Sequence, residues 1–146
     1  MLVTKDKIQG FIPQRPPMVM VDALLSHDGG QSTSSLKVEA NNLFCSGGVL
    51  REAGLIENMA QTAALHTGWE AMQQYRGQSG FKPPVGMIGA VKNFNLYRLP
   101  HVDTDLITEI NILTTVFNAT IISGKVFSGR ELLAECEMQI FIVDNS

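Results

Sequence analysis

The 146-residue sequence predicts one α+β domain, residues 1–146, with a long central helix wrapped by an antiparallel sheet of about five to six strands. Three observations carry this prediction. Only residues 51–68 hold a long helical period. Most of the remaining chain alternates, or runs apolar, in pieces of strand length. Turn signals divide those pieces into two strands before the helix and four after it.

The elements follow in order. Residues 4–10 suit a short helical turn ending at Gly10, and the prolines at 13, 16 and 17 then force an extended entry. Residues 18–25 read as a buried strand, and His27-Asp-Gly-Gly30 as a hairpin turn. The next strand alternates Leu36, Val38 and Ala40 against Ser35, Lys37 and Glu39. A loop over 41–50 leads into the helix, which continues towards Tyr75 and ends in the Gly- and Pro-rich residues 76–84. Strands are expected at 85–98, 105–117, 119–127 and 132–142, the last with Ala134, Cys136, Met138 and Ile140 facing one way. Exposed sheet edges of this kind call for a partner, so a dimer is expected, either a homodimer or a heterodimer.

On the helix, Ile56, Met59, Ala60, Ala63, Ala64 and Thr67 form one stripe of small and apolar residues that a flat sheet can approach closely. Glu57 stands at its edge, about 100° around from Ile56, with Gln61 one turn further along. A carboxylate at the rim of an apolar face is poorly placed for mere solvation, which points to chemistry.

Composition narrows the class. No run approaches the roughly 18 apolar residues of a membrane span. The first residues, Met-Leu-Val-Thr-Lys-Asp-Lys, lack the apolar stretch of a secretory signal, so a cytoplasmic protein is expected. A net charge of −3 argues against nucleic acid as a partner. Cys45 and Cys136 make no disulfide framework, and no Cys/His spacing resembles a zinc site, so neither metal nor cofactor is expected. Residues 71–102 contain no acid but hold Arg76, Lys82, Lys92 and Arg98, a basic area suited to an acidic or phosphate-bearing partner.

Five segments, in order, carry a family resemblance. Ile12-Pro-Gln-Arg-Pro-Pro-Met-Val-Met-Val-Asp22 is similar to an entry motif of the Pro-His-Arg type, followed by an apolar strand ending in Asp. Glu57-Asn-Met-Ala-Gln61 resembles the Glu-Ala-Met-Ala-Gln segment of the 3-hydroxyacyl-acyl-carrier-protein dehydratases. Gly89-Ala-Val-Lys-Asn-Phe94, Asp103-Thr-Asp-Leu-Ile-Thr-Glu109 and Leu133-Ala-Glu135 resemble three strand motifs of the same family. The resemblance covers residues 12–142 and implies the hotdog fold. One departure is plain: where the family carries a histidine in a His-Phe-Pro-Gly loop, this chain has Leu43, and residues 41–51 hold no histidine. The pattern resembles a divergent branch of dehydratases from aryl polyene and flexirubin pigment pathways.

The resemblance implies dehydration of a carrier-bound 3-hydroxyacyl thioester to a trans-2-enoyl thioester. Glu57 would be the acid and Gln61 its support. A backbone N–H near the helix start, at Gly54, would hold the thioester oxygen, where the positive helix end polarises a carbonyl. Asn42 and Cys45, with Ser46, lie nearest the position of the missing base. Lys92 and Arg98 are candidates for the mouth that receives an acyl carrier protein or a CoA thioester. His66 is out of phase with Glu57 and about 13 Å along the helix axis, so it cannot share a substrate with it. His27 and His101 fall in expected turns. Two other readings stand beside dehydration: a thioesterase working through the single helix carboxylate, and a non-catalytic hotdog subunit that completes the site of an active dehydratase.

Overall fold

The computed structural model describes residues 1–75 and 80–143. A 3-10 segment, Lys5–Gly10, precedes strands β1 (Ala23–Asp28) and β2 (Gln31–Lys37), and a small hairpin, β3 (Cys45–Ser46) with β4 (Val49–Leu50), precedes helix α1 (Glu52–Tyr75). Four strands follow: β5 (Val85–Leu96), β6 (Asp105–Val116), β7 (Ala119–Ser128) and β8 (Glu131–Val143). Six strands form one antiparallel sheet in the order β1-β2-β6-β7-β8-β5, so β1 and β5 are its edges. The expected α+β arrangement is present, with one main helix on a six-stranded sheet. Among the described residues no helix is long and apolar enough to cross a membrane. Arg76 and the expected end of the helix at residues 76–79 lie outside the described residues.

The helix is buried on more than one side, because different faces meet different neighbours. Leu55 and Met59 enter the main core with Leu106, Ile110, Ile122, Val126 and Met138. Met59 lies against the backbone of Gly124 on β7, where an added Cβ would come within 2.7 Å of its sulfur. A second cluster joins Leu65, Ile12, Val21 and Leu24. Here the proline-rich entry crosses the helix so tightly that a Cβ on Gly68 would sit 2.1 Å from the Phe11 carbonyl oxygen.

A polar seam runs between these faces. Asn58, Thr62 and His66 stand four residues apart, hence on one face, and each meets a buried hydroxyl of the sheet. Asn58 Oδ1 accepts from Thr108 Oγ1, Thr62 Oγ1 lies 2.7 Å from Ser34 Oγ, and His66 Nδ1 lies 2.6 Å from Ser32 Oγ. Such pairs relieve the cost of burying polar groups, a cost that rises when one partner is missing.

The seam explains where strand boundaries differ from the sequence-based expectation. β2 begins at Gln31 rather than near residue 35, because Ser32 and Ser34 are buried against the helix. Residues 18–21 are not a regular strand; Met20 and Val21 are buried while Met18 is exposed, the Met18 carbonyl and both backbone groups of Met20 bond to helix side chains, and β1 begins only at Ala23. His27 belongs to β1, opposite Ser32, while the turn itself is made by Gly29 and Gly30, Gly29 at φ 60°. The loop over 41–50 folds into the β3–β4 hairpin. In β8, Leu133 is fully buried beside Ala134 where the β7–β8 register shifts at Val126 and Phe127, so alternation starts only after it.

Candidate active site

Helical period alone brings Gln61 to Glu57. One turn separates Glu57 from Gln61, and Gln61 Nε2 donates to Glu57 Oε2 at 2.9 Å. Gln61 is fully buried, and its other bonds reach the entry segment: Nε2 donates to the Met18 carbonyl at 2.8 Å, and Oε1 accepts the Met20 N–H at 2.6 Å. Asn58 closes the same clamp, its Nδ2 donating to the Met20 carbonyl at 2.8 Å. Two helix amides thus satisfy the Met18 carbonyl and both backbone groups of Met20, which no strand pairs. Gln61 is held at both ends, and so the Glu57 oxygen it touches is held too. Glu57 Oε1 has no hydrogen-bond partner among the described residues.

Glu57 lines a cavity of about 300 Å³ between helix and sheet. Its helix wall is Ala60, Ala63, Ala64 and Thr67, the stripe seen in the sequence. That stripe does not simply bring the sheet close; the small side chains leave space. From Glu57 to Thr67 the wall runs about 15 Å along the helix axis. The opposite wall is apolar, with Ile112, Ile122, Ile140 and Ile142, and the edge strand β5 adds Gly86, Met87 and Ile88. A narrow apolar channel with one carboxylate on its wall suits an extended acyl chain carrying a reactive polar group.

Gln14 also lines this cavity, and its buried Oε1 has no hydrogen-bond partner among the described residues. Gln14 falls inside the entry motif, where the sequence pattern assigns it no role. The available signal was an amide set among prolines. Asn58 was missed likewise, although an Asn beside the carboxylate in a helix interior is unusual enough to suggest a backbone partner.

The remaining expected site residues lie elsewhere. Asn42 accepts the Phe44 N–H at 2.8 Å and places its Nδ2 3.3 Å from the Met20 sulfur. Cys45 is partly buried in β3, with Sγ 3.5 Å from the Glu39 carbonyl oxygen, and burial pushes its thiol up from the ordinary range. Gly54 is buried; its N–H donates to the Arg51 carbonyl at 2.9 Å, and an added Cβ would meet Leu50 and Phe44 at 2.7 Å. Lys92 is exposed on β5. Arg98 is engaged by Glu131 through two bonds of 2.8 and 2.7 Å. None of these five lines the cavity.

The histidines do not line it either. His101 is exposed and bridges to Val49. His27 and His66 stack on each other, ring centroids 4.3 Å apart, on the polar seam rather than the alanine wall.

Comparison with known proteins follows the same lines. The family model described as ApeP-like, ApeP dehydratase, matches residues 6–146. A chain of the dehydratase heterocomplex ApeI:P from Xenorhabdus doucetiae superposes with a TM-score of 0.82 at 16% identity, covering 94% of this chain and 91% of that one. An uncharacterized protein from Pyrococcus horikoshii gives 0.68 at 12% identity, covering 93% of each chain. A mutant of a hypothetical thioesterase protein from Streptococcus pneumoniae TIGR4 gives 0.62 at 11% identity, covering 84% and 90%. These likenesses establish the hotdog fold. No curated protein matches in sequence.

Proposed function

The chain belongs to the ApeP-like dehydratase family, and from that premise we propose that it dehydrates a carrier-bound 3-hydroxyacyl thioester together with a second hotdog subunit. The observation that carries this reading is the Glu57 carboxyl, fixed by Gln61 on the wall of an apolar channel. In the proposed step a base takes the α-proton, the C3–O bond breaks, and Glu57 delivers a proton to the departing hydroxyl. The products are water and a trans-2-enoyl thioester. Positioned acid catalysis of this kind contributes about 10²–10⁴ in rate.

Support for the second subunit comes from what surrounds Glu57. All three histidines of the chain lie off the channel, so no imidazole here reaches the α-proton. The channel wall includes β5, an edge strand whose Met87, Ile88, Val91 and Leu96 are exposed. A hotdog partner pairing with that edge would cover apolar surface and reach the channel at the same time. The structural neighbour from Xenorhabdus doucetiae is described as a heterocomplex, which favours a different chain as the partner. The carrier's phosphopantetheine would enter past exposed Lys92.

The test is intact mass spectrometry of a 3-hydroxyacyl-carrier protein incubated with this protein, alone and with a companion hotdog subunit. Loss of one water only in the mixture is the expected result. Loss of the whole acyl group would replace dehydration by thioester hydrolysis, with Glu57 activating water. No change under either condition would remove the enzymatic reading.

A further inference from the structure

Outside the channel lining, three metal-ligating side chains converge from two elements. His66 is buried on the helix, Glu70 stands one turn further on, and His27 reaches in from β1. His27 Nε2 lies 3.3 Å from one Glu70 oxygen and His66 Nε2 3.6 Å from the other. All three ligand atoms fall within 4.8 Å of one another.

The hydrogen bonding leaves this cluster incomplete. His27 Nε2 is buried and makes no hydrogen bond among the described residues, despite the nearby carboxylate. His66 is anchored at its other nitrogen: Nδ1 lies 2.6 Å from the Ser32 hydroxyl, itself fully buried. In the tautomer that donates Nδ1–H to Ser32, Nε2 turns a lone pair towards Glu70, which is the metal-ligating form of the ring. A metal-bound histidine is held in this way, its second nitrogen fixed by an outer hydrogen bond. A cation between the groups gives the buried His27 Nε2, left without a hydrogen bond, a partner it can share with the Glu70 carboxylate.

We propose that His27, His66 and Glu70 form a binding site for a divalent transition-metal cation of the zinc class. Two imidazoles and one carboxylate are a set that zinc accepts and that calcium or magnesium does not favour. In a tetrahedral site with bonds of about 2.0–2.1 Å, neighbouring ligand atoms stand about 3.3 Å apart. The 3.3 and 3.6 Å approaches run from the two imidazoles to different oxygens of the Glu70 carboxylate, so this exposed side chain must turn to present one oxygen to both. The His–His edge must change as well: the rings are stacked 24° from parallel, and both planes must meet at the ion. His27, less buried than His66, is the ring free to turn. The fourth position stays open to water.

The site ties the β1–β2 edge of the sheet to the distal half of α1, so its role is to brace the helix. None of its members lines the Glu57 channel, and the inference stands whether or not the dehydratase reading does.

The experiment is calorimetric titration of the chelator-treated full chain with zinc chloride, followed by cobalt(II) substitution and absorption spectroscopy. One ion per chain, a rise in melting temperature on zinc addition, and a tetrahedral cobalt spectrum are expected. Glu70→Gln, at a partly exposed position, and His27→Asn should each weaken binding at least about tenfold and cancel the zinc-dependent rise in melting temperature. Circular dichroism checks that both variants are folded. Failure of zinc and cobalt to bind, or binding that both variants leave unchanged, would overturn the assignment.

Discussion

Glu57 and Gln61 meet one helical turn apart, amide nitrogen to carboxylate oxygen at 2.9 Å, and the same amide is bonded to the backbone at Met18 and Met20. The entry segment, the helix and the candidate acid are therefore one unit. Moving the segment would move the carboxyl.

Replacing the acid tests the chemistry directly. Glu57→Gln should lower turnover by about 10²-fold or more in the presence of the companion subunit, with the melting temperature nearly unchanged. The quantity to measure is kcat for loss of water from the carrier-bound substrate. Full activity would mean that another group protonates the leaving hydroxyl.

The clamp has a structural cost of removal. Gln61→Ala strands the buried Met20 N–H, and Asn58→Ala strands the Thr108 hydroxyl and the Met20 carbonyl. Each should destabilise the fold by about 1–3 kcal/mol per group left unpaired. Urea denaturation reads this as a lower midpoint with the slope unchanged.

Channel length is set by small residues. Ala64→Leu fills space on the wall beyond Ala60, away from Glu57. Turnover of long acyl chains should fall while short chains are spared, because one added branched side chain obstructs only the distal part. A profile of kcat/KM against chain length provides the check, and an equal loss at all lengths would place the chain elsewhere.

Carrier docking separates the two basic candidates. Arg98 is already neutralised by Glu131, whereas Lys92 is exposed without an ion pair among the described residues. Lys92→Glu should weaken carrier-protein binding more than Arg98→Glu, with the difference shrinking as salt rises. Binding curves at low and high ionic strength would show this.

A last prediction concerns Cys136. Burial, and then the neighbouring Glu137 carboxylate, push its thiol up to about 11. The folded state therefore favours the protonated thiol. Its contribution to stability is complete below the unfolded thiol's range and fades as pH rises from about 9 to about 11. Stability measured across that window should fall more steeply for the natural chain than for Cys136→Ala. Below pH 9 the thiol should resist alkylation unless the protein is unfolded.

The sequence by itself determined the succession of strands and helix, the alanine stripe, and the adjacency of Glu57 and Gln61. These depend on periods of 2 and 3.6 residues, which local backbone geometry imposes wherever the chain lies. Only the tertiary structure decided the rest. Residues 18–20 looked like a strand because they are apolar, yet the Met18 carbonyl and both backbone groups of Met20 bond to Asn58 and Gln61, partners that no local pattern reveals. Ser32 and Ser34 precede the alternation that the sequence shows from Ser35, yet burial opposite His66 and Thr62 makes them part of β2. Arg98 looked free until the chain brought Glu131 beside it. His27 reads as a turn histidine in isolation; packing β1 on the helix sets it against His66 and Glu70. The Ala60–Thr67 wall was legible as a close-packing surface, and whether it would be filled or left open depended on side chains from four other strands. Long-range packing chooses the partner of each polar group, and that choice built both the candidate active site and the histidine cluster.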